Sequence, residues 1–356
     1  MERTKAHKLI DIITIAICAV ICGADGWTDI ESYGNAKYNW LKKFLELPNG
    51  IPSHDTFRRV FARIDPEQFQ SCFLNWIKSI EKVTTKEIVA IDGKTLRRSY
   101  DTKNSKSAIH MVSAWANSSG LVLGQRKVDE KSNEITAIPE LLKVLEIRGC
   151  IVTIDAMGCQ KEIVSKIALK EADYLIAIKK NQPTLYENIF NTFNQALTNS
   201  EGFELSHYRT EESGHGREEI RNYWMLTNVN NFLDPEEKWK NFSSIAMVCS
   251  ERIVNGKRSQ ENRYYISSLK SNAEEIAGYS RNHWGVENSF HWILDVAFNE
   301  DNSRIRSENA PQNFAILRHI ALNLLKQEKT QKTGIKNKRL KAGWDNQYLE
   351  IILNLS

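Results

Sequence analysis

The sequence predicts a mixed α/β protein that begins with an all-helical domain and carries a β-rich insertion. Three observations lead to this prediction. Apolar residues recur at helical spacing over residues 7–83, short apolar strands alternate with helices over residues 88–178, and alternating apolar and polar residues fill residues 200–270. The chain has 356 residues, which is enough for two or three modest domains with cores of their own.

The composition excludes several classes of protein. Hydrophobic residues make up 41% of the chain and charged residues 26%, which excludes intrinsic disorder, a collagenous repeat and a small disulfide scaffold. The formal net charge of +4, from 48 basic and 44 acidic residues, is compatible with a nucleic acid partner but does not identify one. Six cysteines without a C-x-x-C pair are typical of buried, reduced thiols in a cytoplasmic protein.

Residues 1–85 are predicted to form the helical domain. The apolar run from Ile12 to Cys22 follows a basic start, as in a signal peptide, but it is shorter than the ~20 residues that cross a bilayer, so we expect a buried helix and no membrane contact. Ser53 is a candidate N-cap, and Pro66 opens the next helix. Residues 48–63 fit a DNA-binding helix-turn-helix and an ordinary helical hairpin equally well.

Residues 86–199 are predicted to form the first part of a sheet core. The expected elements are strands at 88–93, 108–117 and 121–130, a helix at 134–146, a strand at 151–155, a helix at 159–172, a strand at 174–178 and a helix at 183–197. Strands that alternate with helices after a meander indicate a mixed sheet covered on both faces. The order β-β-β-α-β-α-β is that of the ribonuclease H-like fold.

The remaining residues divide into three predicted parts. The β-rich insertion covers residues 200–270, and we expect it to pack beside the core sheet rather than within it. Helical periodicity returns over residues 271–330, the C-terminal part of the core. Residues 331–356 form a basic tail that is compatible with either a DNA-binding arm or a solvated linker.

Two aspartates end strands that the predicted order places side by side. Asp92 ends the first strand of the sheet, and Asp155 ends the strand after the first crossover helix. Ligands in open α/β sheets bind beyond the carboxyl ends of strands, so these carboxylates are candidates for one site. Each also has an ordinary interpretation, because Asp92-Gly93 is typical of a hairpin turn and Asp155 of a turn or helix cap.

A third acid, Glu287, lies on a predicted helix between two histidines. The spacing of four residues places His283, Glu287 and His291 on one helix face. An isolated glutamate of this kind is usually solvated or ion-paired. The line of three is only a weak indication of a transition-metal site, because zinc sites on one helix usually follow H-E-x-x-H.

Several longer motifs carry a resemblance to a known family. They are Ile91-Asp92-Gly93-Lys94 with Arg97-Arg98-Ser99, the runs 153–160 and 174–182, His215-Gly216-Arg217, and the run 283–292 with Asp295-Val296, Glu300-Asp301 and Arg304-Ile305-Arg306. Together they resemble the DDE transposases of bacterial insertion sequences, in particular the branch that includes the H-repeat-associated proteins. The resemblance spans nearly the whole chain.

The resemblance implies a ribonuclease H-like catalytic core with Asp92, Asp155 and Glu287 as the catalytic and metal-binding triad. Two Mg²⁺ ions, for which Mn²⁺ can substitute, would be held by these carboxylates, with Asp92 as the candidate bridge between the ions. The implied reactions are strand cleavage and strand transfer at the terminal inverted repeats of an insertion sequence. The implied partner is double-stranded DNA, bound by a homodimer.

One departure from the family pattern concerns the residues that flank Glu287. Many related DDE transposases have an arginine four residues before the catalytic glutamate and a lysine seven residues after it, whereas this chain has His283 and Leu294 there. The H-repeat branch uses the His-Trp form. The departure therefore affects the roles implied for these flanking positions more than the roles implied for the triad.

Several residues near the predicted centre are candidates for DNA contact: Lys94, Arg97, Arg98, Lys179, Lys180, Arg217, His283 and Trp284. A single lysine or arginine is more often solvated surface, and only a cluster on one face makes the electrostatic case. Trp284 is a candidate to stack on an unpaired base, with core packing as the alternative.

Two other functions remain open at this point. One is a catalytically inactive DNA-binding protein descended from a transposase, and the other is a ribonuclease H-like nuclease that acts on another nucleic acid. The presence of all three acids favours the active transposase, because a protein that only binds DNA has no physical need for them.

Overall fold

The protein is described here by a computed structural model that covers residues 6–80, 84–101, 107–129, 133–214 and 216–354. The helices are α1 Leu9–Ile21, α2 Trp27–Ala36, α3 Tyr38–Leu41, α4 His54–Arg63, α5 Pro66–Ile80, α6 Glu134–Val144, α7 Lys161–Leu169, α8 Pro183–Thr198, α9 Asn230–Leu233, α10 Ala273–His283, α11 Trp292–Phe298, α12 Ala310–Gln327, α13 Ile335–Trp344 and α14 Asn346–Ile352. The strands are β1 Ile88–Thr95, β2 His110–Ala116, β3 Leu121–Lys127, β4 Ile151–Ile154, β5 Asp173–Ile178, β6 Glu204–Gly214, β7 Arg217–Thr227, β8 Ser244–Val254 and β9 Lys257–Ser267.

The N-terminal helices form where the sequence predicts them. Ser53 caps α4, and its side chain accepts a hydrogen bond from the backbone N–H of Thr56. The apolar run becomes α1, which is buried against α12. None of the helices in the described part of the chain is long and apolar enough to cross a membrane.

The strands form one mixed sheet with the order β3-β2-β1-β4-β5-β9-β8-β7-β6. β1, β4 and β5 are parallel, and the other neighbours are antiparallel. β4 is buried along its whole length, as expected for a strand covered on both faces. The succession of β1, β2, β3, α6, β4, α7 and β5 confirms the predicted order of core elements.

The expectation that the insertion packs beside the core sheet is wrong. β9 pairs with β5 in the antiparallel sense, from Leu175 opposite Ser267 to Ile178 opposite Tyr264, so β6–β9 continue the same sheet. The physical reason is that β5 would otherwise be an unpaired edge. Alternation along a strand reveals which face is buried, but it does not reveal which distant strand completes the ladder.

The C-terminal segment differs from both predicted forms, because α13 and α14 are folded and packed. Ile335, Ala342 and Leu349 are buried. Arg339 is buried as well, and its guanidinium Nη2 donates to the carbonyl oxygen of Val20 at 2.8 Å. Helix termini leave carbonyl groups without partners, and this arginine supplies donors at the end of α1.

All these parts contribute to the largest hydrophobic core of the described residues. The largest cluster of buried apolar residues includes Ile15 of α1, Val152 of β4, Ile266 of β9 and Leu349 of α14. α12 lies at its centre and packs against α1, α4, α5 and β3. The candidate site is therefore held by a sheet that is supported by elements from both ends of the chain.

Candidate active site

Asp92 and Asp155 lie at the same edge of the sheet on neighbouring parallel strands. Ile91 of β1 is in register with Ile154 of β4, and each aspartate is the next residue along its chain. Neighbouring strands are ~4.8 Å apart, so the two backbones bring these side chains to one place. Contrary to the sequence predictions, Asp92 is neither part of a hairpin turn nor the end of its strand, because β1 continues to Thr95 and pairs Asp92 with Ser113 of β2.

Asp155 also acts as a helix cap. Its Oδ1 accepts hydrogen bonds from the backbone N–H groups of Met157 at 3.0 Å and Gly158 at 3.4 Å, at the start of a short 3₁₀ turn. Asp155 is therefore a helix cap, as its ordinary interpretation predicts. Its second carboxylate oxygen accepts neither of these two hydrogen bonds. The cap fixes the direction of the side chain at the strand end.

The acids in this region interact electrostatically. Burial raises the pKa of Asp92 to about 7, and the negative charges of Glu134, Asp155 and Glu287 raise this pKa as well. Burial and the charge of Glu134 also raise the pKa of Asp155 above its ordinary value. A group of partly buried carboxylates with raised pKa values is typical of functional sites.

Glu287 lies on a π-helical turn, Glu287–His291, between α10 and α11. This turn packs on the sheet through Phe290, whose ring stacks on Trp115 of β2 with ring centroids 5.1 Å apart. Gly285, just before the turn, packs so tightly that a Cβ there would lie 2.5 Å from Oδ1 of Asn117. π-helical turns occur frequently at functional sites, and here one carries the exposed Glu287, whose charge raises the pKa of Asp92.

The two histidines beside Glu287 have separate structural roles. Nδ1 of His283 lies 3.1 Å from Oγ1 of Thr153, and Nδ1 of His291 lies 3.5 Å from Oδ2 of Asp92. Burial lowers the pKa of His283 to about 4 and that of His291 to about 3, so both rings are neutral near pH 7.

The structure contains no preassembled metal centre in its described portion. Across those residues, no group of three or more His, Cys, Asp or Glu side chains is placed to hold an ion. The acids at the sheet edge are nevertheless of the type that Mg²⁺ prefers, since that ion takes hard oxygen ligands and retains several waters. The donor chemistry at this edge fits Mg²⁺.

Glu134 is a fourth acid that the sequence analysis missed. It is the first residue of α6, and its Oε1 lies 2.6 Å from Nε2 of His110 on β2. Both groups press against Gly93, where a Cβ would lie 2.2 Å from Oε1 of Glu134 and 2.5 Å from Nε2 of His110. In the sequence, the only indication of Glu134 is an acid at the start of a helix. Acids are common at that position because they cap the helix and interact favourably with its dipole, so the position alone does not indicate a functional site.

The predicted DNA contacts beside Asp92 fall into two groups. Lys94 is largely buried in an acidic cluster, where its ammonium contacts Asp295 and lies 3.1 Å from Oε2 of Glu300. Arg97 is exposed and pairs with Asp301 at 3.2 Å, and Arg98 is exposed. Lys94 is thus engaged within the protein, whereas the two arginines face solvent.

The other predicted contacts surround Asp155 and α10. Lys179 and Lys180 are exposed just after β5, and the charge of Lys179 lowers the pKa of Asp155. Arg217 begins β7, and its Nη2 lies 3.1 Å from Oε2 of Glu219. Trp284 lies under the guanidinium of Arg263, 4.4 Å from the ring centroid. His215, which precedes Arg217 in the recognised motif, lies outside the described residues.

Comparison with known proteins identifies the family. The model of the transposase DDE domain matches residues 84–324, and the DDE_Tnp_1-associated model matches residues 1–77. The chain is 45% identical over 351 residues to the "H repeat-associated putative transposase YhhI" of Escherichia coli (strain K12), covering 98% of this chain and 92% of that protein. It is also 45% identical to the "Putative transposase YncI" of Escherichia coli O157:H7, with 98% and 89% covered. The chain therefore belongs to the DDE transposase family.

A search of solved structures gives a more distant similarity. The piggyBac transposase, in a synaptic complex with hairpin DNA, aligns with 99% of this chain and 76% of its own, at a TM-score of 0.43 and 10% sequence identity.

Proposed function

We propose that this protein is a DNA transposase with a ribonuclease H-like core that cleaves strands at the terminal inverted repeats of an insertion sequence and joins them to target DNA. The observation that carries the proposal is the pair of aspartates in a chain of this family, because Asp92 and Asp155 each directly follow the last paired residue of the adjacent parallel strands β1 and β4. The negative charge of Glu287 raises the pKa of Asp92, which supports Glu287 as the third catalytic acid.

The carboxylates of Asp92, Asp155 and Glu287 are proposed to hold two Mg²⁺ ions, with Mn²⁺ as a substitute and Asp92 as the bridge. When bound, such ions activate the attacking oxygen and stabilise the leaving oxygen of a phosphodiester. The raised pKa of Asp92 supports this assignment, because burial and the charges of the neighbouring acids disfavour the ionised carboxylate, and a bound cation would offset both.

Other residues of the chain are proposed to bind and orient the DNA. Arg97, Arg98, Lys179 and Lys180 are exposed around the acids and are suited to contact phosphates of double-stranded DNA. His283 is neutral near pH 7 and contacts Thr153, which suggests that it supports the strand before Asp155 rather than neutralising a phosphate. We further propose that the protein acts as a homodimer on its two transposon ends.

The test separates binding from chemistry. Asp92→Asn keeps the shape of the side chain and removes the negative charge, so Mg²⁺-dependent cleavage of a duplex with the protein's own inverted repeat should fall by orders of magnitude. DNA binding in a gel shift should persist, because it depends mainly on basic residues. Glu140→Gln is the matched control, since Glu140 is a half-exposed acid on α6 that pairs with Lys143.

Two results would contradict the proposal. Cleavage by Asp92→Asn at nearly the wild-type rate would remove Asp92 from the mechanism. Sequence-specific binding without any cleavage by the wild type on its own ends would favour the inactive, transposase-derived DNA-binding protein.

A further inference from the structure

A cleft of about 470 Å³ lies against one face of the sheet in the insertion, beside the end of α10. Its lining contains five arginines and three glutamates, an excess of two positive charges. The arginines are Arg217, Arg221, Arg252, Arg263 and Arg281, which we call the arginine cluster. The catalytic triad does not explain this concentration of guanidinium groups.

The alternation of residues along the strands creates the cluster. Arg217, Glu219 and Arg221 are two residues apart on β7 and therefore share one face. Arg252 of β8 lies directly opposite Glu219, which places it on that face as well. Arg217 and Arg252 keep about half of their side-chain surface exposed, so a ligand in the cleft can reach them.

Glu219 holds three of the arginines in place. It is 4% exposed, and its carboxylate lies 2.7 Å from Arg221, 3.1 Å from Arg217 and 3.2 Å from Arg252. A guanidinium has five N–H donors, so a single carboxylate shared among three arginines leaves most donors available. The cluster is thus ordered before any ligand arrives.

The cleft adjoins the candidate active site. Asn288 lines the cleft, and it follows Glu287 directly on the π-helical turn. Lys179 provides a second link, because it follows Ile178 of β5, which lies opposite Tyr264, between the cleft residues Arg263 and Tyr265 of β9. Lys179 thus follows the strand that lies between β4, which precedes Asp155, and β9, which carries Arg263.

We propose that this cleft binds the phosphate backbone of a DNA strand as the strand leaves the active site. The inference rests on the proposed function, because the cleft has a role in transposition only if the acids cleave DNA. Arginine forks match phosphate oxygens in charge and geometry. A DNA strand fits better than a free anion, because the cluster continues towards the acids instead of closing around one group.

The experiment compares two double variants with the same change in charge. Arg217→Gln with Arg252→Gln removes two half-exposed members of the arginine cluster. Arg209→Gln with Arg258→Gln removes two exposed arginines of β6 and β9 that pair with Glu211 and Glu251 and do not line the cleft. Binding of a random-sequence duplex with a single-stranded extension is measured by fluorescence anisotropy over a range of salt concentrations without Mg²⁺.

The cluster variant should bind more weakly than both the wild type and the control variant. Its slope of log affinity against log salt should be shallower by about 0.9 for each phosphate that the variant no longer neutralises, so by about 2 for two phosphates. Circular dichroism checks folding of each variant. If the double variant does not fold, Arg252→Gln alone provides the same test with a smaller change of slope.

The possible results of this experiment distinguish failure of the cleft proposal from failure of the proposed function. If the wild type binds DNA and the cluster variant shows the same affinity and slope, the cleft proposal is overturned and the proposed function stands. Equal losses in both double variants would mean a general surface effect and would also overturn the cleft. Competition by inorganic phosphate at an equal phosphate concentration would identify a site for a free anion instead. Absence of DNA binding by the wild type would overturn both proposals.

Discussion

At the residue scale, the burial of Asp92 in the candidate site lowers the stability of the folded protein. Its carboxyl is buried beside three other acids, and Nε2 of the neighbouring His291 has no hydrogen-bond partner in the described structure. Such an arrangement is unfavourable without a cation, since like charges repel and a buried charge loses hydration. Functional sites commonly retain groups of this kind at the expense of stability.

The first prediction concerns the stability of metal-free protein as a function of pH. The folded-state pKa of Asp92 is about 7, against an ordinary value of 3.8, so between these values the folded protein holds a proton that the unfolded chain has released. Stability from this group is therefore lost as pH rises through that window. Asp92→Asn cannot ionise and should raise the melting temperature in EDTA at about pH 8, with little gain at about pH 4. An equal gain at both pH values would contradict this.

The second prediction concerns Glu134. Removing its charge with Glu134→Gln should lower the pKa of Asp92, because that charge is among the causes that raise it. The measurement is a carbon-13 NMR titration of labelled aspartate carboxyls, with the Asp92 signal assigned from Asp92→Asn. Glu140→Gln, on the solvent side of the same helix, should leave the Asp92 titration unchanged. An unaltered Asp92 pKa in Glu134→Gln would exclude the interaction.

These residues differ in how far the sequence predicted them. Asp92 and Asp155 are predicted as strand ends, and this holds for Asp155 only, because β1 continues to Thr95. The two acids still meet, since both follow the last parallel pair, Ile91 and Ile154. Glu287 depended on the family resemblance, since a π-helical turn cannot be inferred from helical spacing. Glu134 was missed, and Arg217 is the only member of the arginine cluster that the sequence analysis named. Both sites depend on contacts between segments that are far apart in sequence.

At the scale of elements, α13 is a clamp between two other helices. Arg339 donates from Nε and Nη2 to the carbonyl oxygen of Val20 at 3.1 and 2.8 Å, and it also donates to the carbonyl of Ala297 on α11. The lysine content of this segment indicates either a DNA-binding arm or a solvated linker. That inference failed because it ignored the apolar residues between the charges, such as Ile335 and Ala342, which are buried.

The third prediction tests this clamp. Arg339→Met keeps an apolar stem but removes the donors that satisfy buried carbonyls, so the free energy of unfolding should fall by about 2 to 4 kcal/mol. Lys336→Met is the matched control, because Lys336 is exposed on the same helix and its loss should change stability by less than about 0.5 kcal/mol. Urea unfolding of both variants gives the comparison. Equal stabilities would show that α13 does not clamp α1.

At the scale of the whole molecule, the two ends of the chain and the insertion stabilise one sheet. Lys37 donates to Asn346 at 2.7 Å and Trp40 donates to Glu350 at 2.7 Å, which joins the first helices to the last. At the other side, the ring of Tyr264 on β9 packs against Phe193 of α8 with ring centroids 6.0 Å apart. The insertion is therefore part of the supporting structure of the core.

The last prediction follows from the pairing of β9 with β5. Replacing residues 200–270 by a flexible linker would expose the edge of β5 and the apolar face of α8, because both are covered by β9. Exposed edges of apolar strands template association, so this variant should form soluble aggregates or precipitate, as measured by size-exclusion chromatography with light scattering.

A smaller deletion is the control for this result. Arg252 and Ser259 are directly opposite on β8 and β9, so joining them by Asn-Gly in place of residues 253–258 should form a two-residue hairpin turn. This trims only the end of the hairpin, far from β5, and the variant should have the same hydrodynamic radius and melting temperature as the wild type. A monodisperse protein of unchanged stability after the larger deletion would instead show that the first five strands form a self-sufficient core. In that case the insertion would contribute only to binding, and the pairing of β9 with β5 would add little to the free energy of folding.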